Sequence, residues 1–356
     1  VSLVRSVLTR ASAAIDRSAL RFMERRMAPR TPPIEPGDAR GRLVELARAY
    51  SDGTLGNPSP FFPAPPRPEM KLRAVGDGPV GTQVVDLTYK SGYVPYLSIA
   101  RDAYLASVEN MTAHARWWTS DRGRPTIVML HGWGGGAYWM EERAFAIPYW
   151  LRHGYDVVAF QLPFHGHRAA KAQLLPNFPS ANPLRTNEGF GHAIYDLRAL
   201  GVFLRERGAS AVGAMGMSLG GYTTALWASI DELDFSVAII PAVSMASLFW
   251  RHGEDSPARK RAANAGITEE LLAEVFSVHA PLTRPTRVPH GRRFVIAGRG
   301  DRITPPEQAA SLAQHWAVEP LWFNGGHLAQ VGRSDAFRAV RRALGTAGFA
   351  GRVFRE

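Results

Sequence analysis

The strongest constraint on this chain is a rhythm. From about residue 80 onward, short apolar runs alternate with longer segments of helical spacing. Thr126–Leu130 reads TIVML, a run with no solvent-facing side, as a strand covered on both faces requires. Val84–Tyr89 and Thr112–Trp118 read as strands, and Tyr155–Phe160, Ala211–Met215, Phe235–Ile240, Phe294–Ala297 and Leu321–Phe323 repeat the buried signature. Helical segments over 137–153, 188–207, 219–230, 305–317 and 334–346 separate them. Alternation of this kind gives an α/β fold, a mostly parallel sheet with helices on both faces. Two stretches, 168–187 and 244–291, break the rhythm. They are long and irregular, mix Pro with scattered Leu, Phe or Trp, and are expected to be cap-like insertions.

Residues 1–75 are of another kind. They carry 13 basic and 7 acidic residues, more than half of the +11 net charge of the 356-residue chain. Residues 2–28 are expected to form a basic amphipathic helix, with Val4, Leu8, Ala11, Ile15, Leu20, Met23 and Met27 on its apolar side. Packing on the main domain is its expected role, and contact with a membrane surface or acidic partner is the rival. Its removal is expected to leave the chemistry of the main domain intact. A Pro-rich strap follows, from Thr31-Pro32-Pro33 to Pro68, interrupted by a short helical run at Gly41–Tyr50. The domain boundary is set at 75/76, with a catalytic domain over 76–350. No segment approaches 18 continuous apolar residues, and Arg5, Arg10 and Arg17 break up any signal-peptide core, so a cytoplasmic location is expected. Only Lys71, Lys90, Lys171 and Lys260 among the 42 basic residues are lysines. Codon bias accounts for that skew more simply than nucleic-acid binding.

There are no cysteines, which excludes thiol nucleophiles and thiolate metal sites. The chemistry must come from elsewhere. Gly216-Met217-Ser218-Leu219-Gly220 stands between an apolar strand and a helix, and a G-x-S-x-G turn in that setting exposes its serine. Gly216 and Gly220 leave room where a Cβ would strike the neighbouring strand and helix, and the following helix N-terminus favours developing negative charge. A serine needs a base, and the base an orienting acid. Asp301 follows the strand Phe294–Ala297, and His327 follows Leu321–Phe323 on a Gly-rich loop. Leu130-His131-Gly132-Trp133-Gly134-Gly135-Gly136 follows another buried strand, and the backbone N–H groups of Trp133 and Leu219 are expected to form an oxyanion hole. The rival, a phosphate loop, lacks both G-x-G-x-x-G and a Walker lysine.

As a set, the H-G-x-G-G loop, G-M-S-L-G-G, G-R-G-D and G-G-H resemble the α/β-hydrolase superfamily over roughly residues 80–350. The resemblance implies an eight-stranded, mainly parallel sheet, a Ser218–His327–Asp301 triad and caps inserted after the central strands. The chain departs from the family at Phe160–Arg168. Gln161 and Phe164 stand there in place of the acid and first glycine of a D-x-P-G-H-G-like segment, a departure loosely like a bacterial branch carrying L-P-F-H-G.

The expected activity is hydrolysis of a carboxylic ester or thioester through an acyl-enzyme, with no cofactor or metal. A serine at the elbow disfavours the carboxylate-nucleophile dehalogenases and epoxide hydrolases. Acyltransferase, peptidase, carbon–carbon hydrolase and perhydrolase chemistry use the same triad and stay open, as does a slow-turnover receptor. An acyl pocket is expected from insertion residues including Leu174, Phe178, Phe249 and Trp250, with packing of the cap as the equal alternative. His131 is expected to orient backbone. His165, His167, His192 and Asp196 are expected to hydrogen-bond locally rather than bind metal, Trp117 and Trp118 to sit in the core or at a strand edge, and Arg259-Lys260-Arg261 to form a solvated face.

Overall fold

The computed structural model describes residues 2–27, 38–120, 123–171, 175–252 and 257–349. Its sheet has nine strands: β1 (Lys71–Asp77), β2 (Gln83–Lys90), β3 (Thr112–Thr119), β4 (Thr126–Leu130), β5 (Asp156–Phe160), β6 (Val212–Met217), β7 (Ser236–Ile239), β8 (Arg293–Gly298) and β9 (Leu321–Phe323). Their order is β1-β2-β3-β5-β4-β6-β7-β8-β9. The pairs from β5 to β9 are parallel, and β1, β2 and β3 add to them antiparallel.

All five residues of β4 are buried, as are all five of β5. Successive side chains of a strand point to opposite faces, so each such strand feeds two cores. Val128 and Leu130 enter one apolar cluster, Ile127 and Met129 the other. The helices divide accordingly. They are α1 (Ser2–Met27), α2 (Ala39–Ser51), α3 (Ser98–Leu105), α4 (Tyr138–Ala144), α5 (Ile147–Arg152), α6 (Pro183–Glu206), α7 (Leu219–Ile230), α8 (Met245–His252), α9 (Pro257–Asn264), α10 (Glu269–Val275), α11 (Pro306–His315) and α12 (Arg333–Leu344). Phe190 of α6, Leu226 and Trp227 of α7 and Leu312 of α11 cover the first face. Trp150 of α5, with Phe337 and Val340 of α12, covers the second.

Several expectations are revised. The sheet has a ninth strand, β1, and the boundary at 75/76 falls inside it. Every residue of β1 is exposed, so no apolar periodicity marks it. The helix expected over 137–153 is two helices, broken at Ala146 (φ 51°, ψ 49°) ahead of Ile147-Pro148. The first insertion is shorter than expected, because Asn182 caps α6 by accepting the Arg185 N–H at 3.2 Å. The second is largely helical and holds α8, α9 and α10. Thr31-Pro32-Pro33 of the expected strap lies outside the described residues, and its later part is fastened to the domain. Tyr50, Phe61 and Phe62 are buried in the first core cluster, and Arg284 donates to the Thr54 carbonyl at 3.2 Å.

The inner face of α1 also differs from the expected apolar stripe. Ala11 and Ile15 face outward, while Ser12, Ala13 and Asp16 are buried. Arg5, Arg10, Arg17 and Arg21 are exposed. Small residues face inward because α1 lies against backbone. A Cβ on Gly300 would stand 2.7 Å from the Thr9 carbonyl oxygen, and one on Gly326 would stand 2.6 Å from a carboxylate oxygen of Asp16. No described helix is long and apolar enough to cross a membrane.

Candidate active site

Strand order fixes where chemistry can gather. The chain runs from β4 to β5 on one side and then to β6 on the other, so the loops leaving β4 and β6 diverge at a switch point. In open α/β sheets that crevice, beyond the carboxyl ends of the strands, is where ligands bind. All four expected catalytic segments emerge there, after β4, β6, β8 and β9.

Ser218 joins β6 to α7 with φ 58° and ψ −114°, a conformation that a side chain rarely adopts. Its backbone is tied down on both sides. The Ser218 N–H donates to Ile239 at 3.0 Å, and its carbonyl accepts from Tyr222 at 3.0 Å and Ala242 at 3.2 Å. The flanking glycines are obligatory for steric reasons. A Cβ on Gly216 would come within 2.0 Å of the Gly220 carbonyl oxygen, and one on Gly220 within 1.8 Å of the Leu130 carbonyl oxygen. Leu219 opens α7, so its N–H has no acceptor one turn back in the helix.

The loop after β4 closes on this elbow. A Cβ on Gly132 would lie 3.4 Å from that of Ser218. His131 braces the loop with both ring nitrogens. Its Nε2 accepts from the Leu162 N–H at 3.0 Å, so Nδ1 carries the proton and donates to the Gly132 carbonyl at 2.8 Å. Burial pushes its pKa down, which keeps the ring neutral. Gln161 holds the same loop from the other side. Its Nε2 donates to the Gly136 carbonyl at 2.5 Å and its Oε1 accepts from the His167 N–H at 3.0 Å. An amide has the donor and acceptor that this bridge needs, whereas an ionised acid at 161 would offer acceptors alone. Phe164 holds φ at 61° where the family pattern has glycine, with its ring edge-on to Tyr104 at 5.3 Å.

Asp301 and His327 meet as expected. His327 Nδ1 donates to Asp301 Oδ2 at 2.9 Å, since an ionised carboxylate can only accept, and Nε2 is left as the basic nitrogen. Asp301 is 1% exposed and saturated. Oδ1 accepts from the Ile303 and Thr304 N–H groups at 2.9 and 2.8 Å, and Oδ2 also meets the Thr304 hydroxyl at 3.0 Å. Thr304 Oγ1 lies 2.9 Å from the Ile240 carbonyl and 3.1 Å from His327 Nδ1, which links the Asp301–His327 pair to the residue that follows β7. A second link runs through Gln330. Its Nε2 donates to the His327 carbonyl at 2.8 Å and approaches Met217 Sδ at 3.2 Å, next to Ser218.

One participant was not anticipated. Asp16 of α1 is fully buried and accepts three backbone N–H groups: His327 at 2.8 Å, Leu328 at 3.1 Å and Arg302 at 3.1 Å. The Thr9 hydroxyl lies 3.0 Å from the Asn324 carbonyl on the same loop. The expectation that α1 is separable from the chemistry does not fit these contacts. Asp16 left one trace in the sequence, an acid at helical spacing from Ser12 and Leu20.

The remaining candidates scatter. Leu174 lies outside the described residues. Phe178 is fully buried and packs edge-on against Phe190, with ring centroids 4.8 Å apart. Phe249 is partly exposed beside Phe276, and Trp250 lies under Arg259 at 4.6 Å. Trp117 and Trp118 are buried in β3, one in each core cluster. His165 pairs with the Pro163 carbonyl at 2.8 Å, and His167 with Gln161. His192 and Asp196 belong to a buried network with Ser91 and Arg168, whose guanidinium lies 2.8 Å from Asp196. A fixed positive charge there is poor company for a metal cation.

Comparison with known proteins agrees with this fold. A family model described as the alpha/beta hydrolase fold matches residues 125–238, which include β4, β5, β6 and the Ser218 elbow. An uncharacterized protein of Mycobacterium tuberculosis is 29% identical over 308 residues, covering 83% of this chain and 72% of its own. A second uncharacterized protein of that species is 29% identical over 306 residues, with 83% and 71% covered. Among solved structures, an acetyl xylan esterase from a Paenibacillus species superposes with a TM-score of 0.55 at 14% identity, over 88% of this chain and 96% of that one. Matched model, shared architecture and a serine held at a strand–helix elbow show that this chain has the α/β-hydrolase fold.

Proposed function

We propose that the protein is a serine hydrolase that cleaves carboxylic esters or thioesters through an acyl-enzyme on Ser218. The observation that carries this reading is the pairing of a strained, helix-capping Ser218 with a His327–Asp301 couple on the same rim of the sheet. His327 Nε2 takes the Ser218 hydroxyl proton as Oγ forms its bond to the substrate carbonyl carbon. The Trp133 and Leu219 N–H groups receive the oxyanion, a contribution typically worth roughly 2.7–4 kcal/mol per donor. As the carbon–oxygen or carbon–sulfur bond breaks, the imidazolium returns that proton to the leaving group. Water then repeats the sequence on the acyl-enzyme and regenerates the serine. Asp301 fixes the tautomer throughout and stabilises the imidazolium.

A fluorophosphonate probe tests the assignment. The wild-type protein is expected to be labelled and Ser218→Ala is not; absence of Ser218-dependent labelling would end the hydrolase reading. A chain-length series of p-nitrophenyl esters then bears on the acyl pocket expected from the insertions. Turnover confined to the acetate ester would remove that pocket.

A further inference from the structure

We infer that α1 is part of the catalytic apparatus, and that Asp16 is a positioning residue that sets the acid and base against each other. This inference rests on the reading of Ser218, His327 and Asp301 as a working triad. One buried carboxylate gathers the backbone of both loops that carry the charge-bearing members. Its Oδ2 accepts from Arg302, the neighbour of Asp301, and from His327 itself, while Oδ1 accepts from Leu328. Backbone carries no rotamer freedom, so fixing these three N–H groups fixes where the imidazole and its acid start from. The fit is made on both sides. Gly300 and Gly326 leave no room for a Cβ between the loops and α1, and Ser12 and Ala13 keep the helix face shallow.

No partner within the two loops replaces this carboxylate in the contacts described. Its loss would leave three N–H groups pointing into a buried gap, and each loop would relax on its own. A displacement of about 1 Å in a catalytic group can cost around a hundredfold in rate. Ground-state binding of an ester depends on other surfaces, so the loss belongs in turnover.

The test uses the full-length protein. Asp16→Ala is expected to lower kcat and the rate of Ser218 labelling by tenfold or more, with KM changed less than threefold. Formate, a carboxylate small enough for the vacated space, is expected to restore the rate in a saturable way. Asp16→Asn keeps the volume but turns an N–H donor toward N–H donors. It is expected to show a comparable loss without formate rescue, and it serves if the alanine variant does not fold. Wild-type rates of labelling and turnover in either folded variant would overturn the inference while leaving the hydrolase reading standing. So would a change confined to thermal stability or KM. A wild-type protein that shows no Ser218-dependent labelling would remove the hydrolase reading, and this inference with it.

Discussion

His327 and Asp301 divide one task. The carboxylate has its Oδ1 filled by two amides, so Oδ2 alone is left to orient the imidazole. Asp301→Asn keeps the shape but presents an N–H or a weaker acceptor to Nδ1, which favours the wrong tautomer. By analogy with serine hydrolases of other folds, kcat is expected to fall about 10³–10⁴-fold with little change in KM; stopped-flow or steady-state ester hydrolysis checks this. These two residues were legible in the sequence because each follows a recognisable buried strand. Thr304 and Asp16 were not. A threonine three residues after an acid, or an acid in an Arg-rich helix, has many ordinary uses. Only the tertiary contact separates these two from the rest. His131 was legible for a different reason. A histidine wedged between a buried strand and a glycine loop has mainly backbone to bond with.

Elements followed their sequence signals where burial was two-sided and strayed where it was not. All eight expected strands formed, because each has at least one face in the core. β1 escaped notice because neither of its faces does. The stripe assigned to α1 missed its buried side, since periodicity finds apolar contacts and this helix packs on glycine backbone through Ser12, Ala13 and Asp16. Arg168 shows how elements are joined by charge as well. It is fully buried, bonds the Asn110 and Gln161 carbonyls, and faces Asp196 of α6 at 2.8 Å. Burial alone would raise the Asp196 pKa, but the facing His192 and Arg168 hold it below the ordinary carboxylate value. Arg168→Met strands that charge and is expected to cost roughly 3–5 kcal/mol. The double variant with Asp196→Asn is expected to recover part of the loss, as measured by urea unfolding at neutral pH.

Taken whole, the molecule buries several histidines in neutral form. Burial lowers the pKa values of His131, His165 and His192, and it brings His279 down to about 3, aided by the nearby Arg284. An unfolded histidine titrates near 6.5, so below that pH the unfolded state takes up protons that the native state refuses. Stability from these groups is therefore present above about pH 6.5 and lost as pH falls toward 3. Denaturant unfolding at pH 7 and pH 5 is expected to show that loss, and His279→Asn to reduce it by ~2 kcal/mol. The Asp16 contact has a consequence for how the protein is made. Asp16 and Leu328 are 312 positions apart, so the carboxylate leaves the ribosome long before the amides that receive it. At ordinary translation speeds of about 5–20 residues per second, the interval is roughly 15–60 s. During that time the helix has only solvent, nascent chain or a chaperone to face. Closure of the Asp301 and His327 loops is thus among the last events of synthesis, and, on the proposed mechanism, a nascent chain that already displays Ser218 is not yet an enzyme.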